Sequence, residues 1–334
     1  MIITRTPFRL SFFGGGTDYN SWFEKNKGLI IGSTFNKYNY ISLRRLPPFF
    51  NHKSRIVYSK AEEVESNHLI EHPAVRNCLK YMDISDGLEI HYDGDLPSRS
   101  GIGSSSSFTV GFLNALHAYH GKIVSKTDLA KQAIHVEQVL SKENVGIQDQ
   151  ILTCFGGINI IEMGPGNDFR VSPLVLPADY KKELESHIML GFSGQTRISS
   201  DTAVKQIEKI NSGLIQEQMQ AIYEIALNGL DLFKVNADIQ RLGQLVDKTW
   251  QVKRTLTSEV SNSLVDETYQ TAIKNGAFGG RLLGAGGGGF LMLIAPPEKH
   301  EQIRKALSAQ IKVWVPFQFE NEGSKILLYE EHMD

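Results

Sequence analysis

The stretch that most restricts the fold is Pro97 to Ser107, reading PSRSGIGSSSS, because it joins a loop almost without side-chain bulk to a strongly apolar run. Glycines at 101 and 103 permit backbone turns that a Cβ would obstruct. The residues that follow, Phe108 to Leu116, predict a mostly apolar helix. A helix start leaves backbone N–H groups unpaired, and small hydroxyl side chains around them make a cradle for a polyphosphate. The backbone of Ser100, Gly101, Ile102, Gly103, Ser104, Ser105 and Ser106 is the candidate cradle. A plain serine-capped helix behind a flexible loop has the same local sequence, so the choice depends on the rest of the chain.

The first third alternates as an antiparallel sheet does, with strands expected at 29–31, 38–43, 55–58 and 88–92. Two helices follow the serine loop, at about 104–120 and 127–142, and a strand at 157–161 closes this half. Residues 163–168, dense in Gly, Pro and Asn, form the best linker. This predicts domains at 1–165 and 166–334. Beyond the linker come a strand at 187–192, helices near 199–210, 214–234, 238–256 and 262–275, then strand, helix, strand and strand. Strands and helices mixed without strict alternation argue for the α+β class.

Two carboxylates point inward. In the helix 127–142, Leu129, Ala130, Ala133, Ile134, Val136 and Leu140 share one face, and Glu137 falls inside it. A carboxylate buried there needs a cation, a metal or several donors. A core glutamate satisfied by arginine or amides is one reading; a Mg²⁺ ligand beside the phosphate cradle is the other, since Mg²⁺ takes one or two protein oxygens and the rest from phosphate and water. Asp149 lies between Gln148 and Gln150 after a turn at Asn144 and Gly146. By itself it reads equally as a loop cap or a catalytic group.

Two more glycine clusters flank the serine loop. One is Thr6-Pro7-Phe8-Arg9-Leu10-Ser11-Phe12-Phe13-Gly14-Gly15-Gly16-Thr17-Asp18-Tyr19; the other is Gly279 to Phe290, GGRLLGAGGGGF. Three such segments, in this order and spacing, resemble the three motifs of the GHMP kinases, from Arg5 to about Leu293. That resemblance implies a two-domain fold, with an N-terminal ATP-binding domain of mixed sheet and helices and a C-terminal α/β sandwich. It also implies Mg²⁺ held by Glu137 and a serine of the loop, by position Ser105 first, with Ser104 and Ser106 as neighbours; Asp149 as base or orienter of the substrate hydroxyl; and Arg9 supporting both that aspartate and the transferring phosphoryl. Gly15, Gly16, Thr17 and Asp18 would meet the substrate, and Gly286, Gly287 and Gly288 would close over it. Most galactokinases carry Gly-Glu-His-Thr-Asp where this chain has Gly14-Gly15-Gly16-Thr17-Asp18. The all-glycine form, with Gly194-Gln195-Thr196-Arg197 and Trp250 to Arg254, is similar to the branch containing the heptose 7-phosphate kinases. A phosphorylated acceptor needs cations. Arg197 is the first candidate, with Lys253, Arg254 and Lys248 behind it as residues that also suit a solvated helix face. Two departures from the family pattern are Arg99, where glycine is usual, and Arg281, where lysine is usual.

The remaining features restrict rather than assign. With 35 basic against 37 acidic side chains, no broad positive field points to nucleic acid or an anionic membrane. Two cysteines fit a reducing compartment, and no signal or membrane-spanning run is evident, so a cytoplasmic protein is expected. No P-loop or H-R-D motif occurs, and His68-Leu69-Ile70-Glu71-His72 matches a metalloprotease pattern with no third ligand. The expectation is an ATP- and Mg²⁺-dependent kinase that phosphorylates the anomeric hydroxyl of a heptose 7-phosphate. The alternatives are a GHMP-type kinase of fucose or galactose, and a non-catalytic metabolite binder of the same fold. Oligomeric state is not readable.

Overall fold

A computed structural model describes residues 1–330 except 86, 99, 167 and 195–199. Arg99 and Arg197 therefore lie outside the described residues. The first half runs β1 (Ile2–Phe13), α1 (Asn20–Phe23), β2 (Gly28–Arg45), β3 (Ser54–Val57), β4 (Ala61–Val64), α2 (Pro73–Tyr81), β5 (Leu88–Gly94), α3 (Ser104–Tyr119), α4 (Lys126–His135), α5 (Gln148–Phe155), β6 (Ile158–Gly164) and β7 (Asp168–Pro173). The second runs α6 (Ala178–His187), β8 (Ile188–Phe192), α7 (Ser200–Asn211), α8 (Gln216–Lys234), α9 (Ile239–Lys253), α10 (Ser263–Lys274), β9 (Gly279–Leu282), β10 (Phe290–Ile294), α11 (His300–Ala306), β11 (Val313–Val315), β12 (Phe319–Glu320) and β13 (Lys325–Tyr329).

β2 organises the first sheet. Its expected two pieces are one 18-residue strand, long enough to pair with β1 on one side and with both β5 and β6 on the other. The sheet order is β13-β1-β2-β5-β3-β4; among the described residues only β3 and β5 pair in parallel, which makes it the mixed sheet expected. The second sheet is antiparallel, in order β11-β8-β10-β9, with helices packed on it. The sheets do not divide at residue 165. β7 pairs with β6, and the chain returns to the first sheet through β12 on β2 and β13 on β1.

α3 is buried nearly all round, as an apolar helix at the centre of a domain must be. It packs closely on β1 because Gly111 leaves room: a Cβ there would stand 2.6 Å from Thr6 Oγ1. Ser107 Oγ and Thr4 Oγ1 donate across the same seam, to Thr6 O and Gly111 O. The helix expected at 127–142 is α4 followed by one widened π turn, Val136–Leu140, closed by Ser141 N–H to Val136 O at 2.8 Å. That turn carries Glu137 inward, and π turns of this kind concentrate at functional positions. Both cysteines are buried and unpaired. Among the described residues, no helix is long and apolar enough to cross a membrane.

Candidate active site

The serine loop and the last glycine cluster interlock backbone to backbone. Gly101 and Gly103 both have positive φ, +84° and +75°, and Gly103 immediately precedes α3. A Cβ on Gly101 would lie 2.4 Å from Leu283 O, and one on Gly284 would lie 2.6 Å from the Gly101 Cα. Phe290 N–H donates to Ser100 O at 3.1 Å. The two glycine segments together shape one wall of a cleft of about 880 Å³. Gly101, Gly103, Ser104, Ser105 and Ser106 line it, so the N-terminal turn of α3 opens into the cavity. Ser100 and Ile102 do not; both are fully buried and hold the loop's shape, Ser100 by donating to Pro97 O and Ile102 by accepting from Arg9 N–H.

At the foot of this wall Arg9 meets Asp149. Arg9 Nε donates to Oδ1 at 2.6 Å and Nη2 to Oδ2 at 2.7 Å, a bidentate fork, while Nη1 donates to Gly101 O at 2.8 Å. One guanidinium thus ties a strand, the cradle loop and the start of α5. Asp149 is 23 % exposed and lines the cleft, whereas Arg9 is buried behind it. Gly103 makes the approach possible, since a Cβ there would stand 2.9 Å from Arg9 Cγ and 3.3 Å from Asp149 Oδ2. Asp18 faces the same space from the β1–α1 turn. Its Oδ1 accepts from Gly16 N–H at 2.9 Å and its Oδ2 from Gln148 N–H at 3.4 Å. Burial, and then the nearby Asp149 charge, raise its pKa, while the Gly16 amide works against the rise. Gly15 and Gly16 also line the cleft.

Three expectations need correcting. Thr17 is a structural residue: its hydroxyl donates to Gly14 O and accepts from Leu29 N–H, closing the turn. Gly286, Gly287 and Gly288 do not line the cleft; Gly286 sits against Val260, to whose carbonyl Gly287 N–H donates, and Gly284 and Ala285 line the cavity instead. The serine at Glu137 is Ser106, not Ser105. Ser106 Oγ donates to Glu137 Oε2 at 2.9 Å, while Ser105 is exposed.

Glu137 is 1 % exposed, and its Oε2 also accepts from Gln150 Nε2. Among the described residues its Oε1 has no hydrogen-bond partner. Burial pushes its pKa up to about 8, with the Glu143 charge adding to the rise. An orphaned carboxylate oxygen beside a serine hydroxyl is a hard-oxygen donor set suited to Mg²⁺. Among the described residues no cluster of three His, Cys, Asp or Glu could hold a metal by itself. The raised pKa has a measurable consequence. The folded state holds the proton more tightly than the unfolded chain, whose glutamate titrates near 4.5. This stabilisation is complete below that value and is lost as pH rises through about 8. In EDTA, the melting temperature should therefore fall between pH 6 and 8.5. Glu137→Gln should flatten that fall, leaving what Asp18 and Glu143, whose pKa values are also raised, contribute in the same direction. An unchanged slope in the variant would contradict the assignment.

Two cations missed or underrated in the sequence stand at the cleft floor. Lys253, the last residue of α9, is 4 % exposed, and Arg281, on β9, is 1 % exposed. Lys253 continues the apolar face of Ile239, Leu242, Val246 and Trp250 at helical spacing, which was the signal available for it. Arg254 instead pairs with Asp266 at 2.7 Å, and Lys248 is exposed. At the other end the cleft is aromatic, with Tyr58, His72, Tyr92 and Phe108 in ring contact. His72 thereby has a packing role and also caps α2, while His68 bonds Ser66, so the H-x-x-E-H pattern is no metal site.

Comparison with known proteins shows the family. Residues 67–157 match the pattern of the GHMP kinases N terminal domain and residues 215–313 that of the GHMP kinases C terminal domain. The chain is 30 % identical to D-glycero-alpha-D-manno-heptose 7-phosphate kinase of Campylobacter jejuni, over 97 % of this chain and 98 % of that one. It is 23 % identical to a galactokinase of Thermosipho africanus over 91 % and 92 %. In fold it is similar to the crystal structure of a D-glycero-D-manno-heptose 1-phosphate kinase from Bacteroides thetaiotaomicron, with a TM-score of 0.80, 21 % identity and 99 % and 100 % of the two chains covered. Both domain patterns are matched in order, and the first of these similarities runs the length of both proteins. The chain belongs to the GHMP kinases, a family of phosphotransferases with an alcohol group as acceptor.

Proposed function

We propose that this kinase transfers the γ-phosphoryl group of ATP to the anomeric hydroxyl of D-glycero-D-manno-heptose 7-phosphate, giving the 1,7-bisphosphate. The observation that carries the reading is the Arg9–Asp149 fork set directly beneath the N-terminal turn of α3. A phosphate seated on that turn would have its outermost phosphoryl beside Asp149, which is the geometry phosphoryl transfer needs. The 30 % relative supports the choice of acceptor.

On this reading the amides of Gly103 to Ser106 hold the nucleotide phosphates, and the aromatic end of the cleft takes the base. Ser106 and Glu137 would hold Mg²⁺, which when bound supplies charge neutralisation to the phosphate oxygens. Asp149 accepts a hydrogen bond from the attacking hydroxyl and receives its proton as the new P–O bond forms and the bond from the γ-phosphorus to the bridging oxygen breaks, ADP leaving with that electron pair. Its plane is fixed by Arg9, so the acceptor oxygen meets a pre-oriented carboxylate. Arg9 also places positive charge beside the transferring group. Asp18, held by two backbone amides, reads a sugar hydroxyl.

The test is ADP release from Mg·ATP with D-glycero-D-manno-heptose 7-phosphate, sedoheptulose 7-phosphate, mannose 6-phosphate, galactose, fucose and mevalonate. Turnover should be confined to, or strongly favour, the manno-heptose phosphate. Preference for galactose or fucose would overturn the acceptor while leaving the kinase chemistry. Binding of ATP with no turnover on any acceptor would favour the non-catalytic reading.

A further inference from the structure

The cleft floor carries more positive charge than its own carboxylates use. Both oxygens of Asp149 are taken by Arg9, and both oxygens of Asp18 by backbone amides. Lys253 and Arg281 remain. Lys253 Nζ donates to the neutral carbonyl of Gly284 at 2.6 Å. Arg281 Nη1 reaches the neutral carbonyl of Phe12 at 3.4 Å, and its Nε has no partner among the described residues. Neither makes an ion pair with a carboxylate among the described residues. Two cations buried side by side, opposed only by the nearby charges of Asp18 and Asp149 that bond neither of them, are costly. Burial lowers the pKa of Lys253, with Arg281 adding to the fall; burial, and then Arg9, lower that of Arg281 to about 10; the Asp18 charge works against both shifts without cancelling them. Arg281 therefore stays charged at neutral pH.

Both side chains line the cleft, so an anion can reach them from solvent. The approach is also shaped for one. A Cβ on Gly15 would stand 3.0 Å from Arg281 Nη2, so the guanidinium lies against bare backbone. This chain places no carboxylate there to neutralise it.

We infer that Lys253 and Arg281 form the subsite for the phosphate monoester of the acceptor, with Gly15 kept bare so that the ester oxygens reach the guanidinium. This rests on the sugar-phosphate reading of the acceptor. An arginine offers a planar fork and a lysine a point charge, and the two together suit a dianion with three oxygens. The nucleotide phosphates share this chemistry, and the experiment separates the two sources.

The experiment is calorimetric titration of the ATP-free protein with D-glycero-D-manno-heptose 7-phosphate, with the unphosphorylated heptose, and separately with ATP. The wild type should bind the phosphate ester well and the bare sugar weakly. Arg281→Gln should weaken the ester roughly 10- to 100-fold, the range for losing a charge-assisted bond, and leave ATP within about twofold on the same scale. Arg281→Lys, which keeps the charge and loses the fork, should fall between. Gly15→Glu provides a second route to the same loss, since its carboxylate would meet Arg281 without removing a buried side chain. Equal wild-type affinity for ester and bare sugar would overturn the subsite. So would equal weakening of both sugars in Arg281→Gln and Gly15→Glu, or weakening of ATP with the ester spared. No turnover is needed: a wild type that binds the ester in this pattern yet releases no ADP would support the subsite and contradict the kinase reading.

Discussion

Asp149→Asn should lower kcat by about 10²- to 10⁴-fold while ATP affinity stays close to that of the wild type. Asparagine keeps the size of the side chain but loses the charge and the capacity to accept a proton. It also turns an N–H toward a guanidinium that now donates to both carboxylate oxygens. One branch of the fork is lost, and the carboxamide cannot orient a hydroxyl by accepting on the other. The nucleotide contacts assigned to Gly103 through Ser106 are separate from this group, so binding should survive. Steady-state kinetics beside direct ATP titration measures both. If ATP affinity fell in parallel with kcat, Asp149 would be a structural support of the cradle.

Gly101→Ala should have the opposite profile, with nucleotide affinity falling about 100-fold or more as two conserving features of the loop fail together. The residue has φ of +84°, where an L side chain is strained, and the added methyl would stand 2.4 Å from the carbonyl oxygen of Leu283. That carbonyl belongs to backbone and has no rotamer to change. The cradle and the last glycine segment would have to separate, and Arg9 Nη1 would lose its acceptor at Gly101 O. Gly121→Ala is the matched control. Its φ is +66°, but nothing stands within 4 Å of the added methyl. It should cost only the backbone strain, about 1–2 kcal/mol, and leave ATP binding intact. Similar losses in the two variants would mean that strain alone, rather than the interlocked loops, governs the cradle.

Much of this site was legible because its backbone requirements are local. Glycines at 101 and 103 mark positive φ directly, and a glutamate inside an apolar helical face must be buried. What failed was phase. Four consecutive serines, 104–107, give no periodicity from which to tell which one faces α4. That choice is made by Gly103, whose left-handed conformation sets where α3 begins and so turns Ser106, not Ser105, onto Glu137. Thr17 and Ile102 failed for a related reason. Both lie in segments that build the site, but alternate positions in a turn serve its closure while their neighbours face the ligand. Lys253 was underrated because a lysine at a helix C-terminus suits the helix dipole in solvent. Its place on the apolar face outweighs that argument. The return of β12 and β13 to the first sheet was not readable at all, because short strands carry no mark of a partner some 300 residues away.

The most direct test of the account is ³¹P NMR of the product formed from Mg·ATP and D-glycero-D-manno-heptose 7-phosphate. The account predicts one new sugar phosphate resonance, coupled to the anomeric proton, appearing in step with ADP while the 7-phosphate signal persists. ADP with inorganic phosphate as the only new phosphorus species, or a new ester on a carbon other than C1, would contradict it.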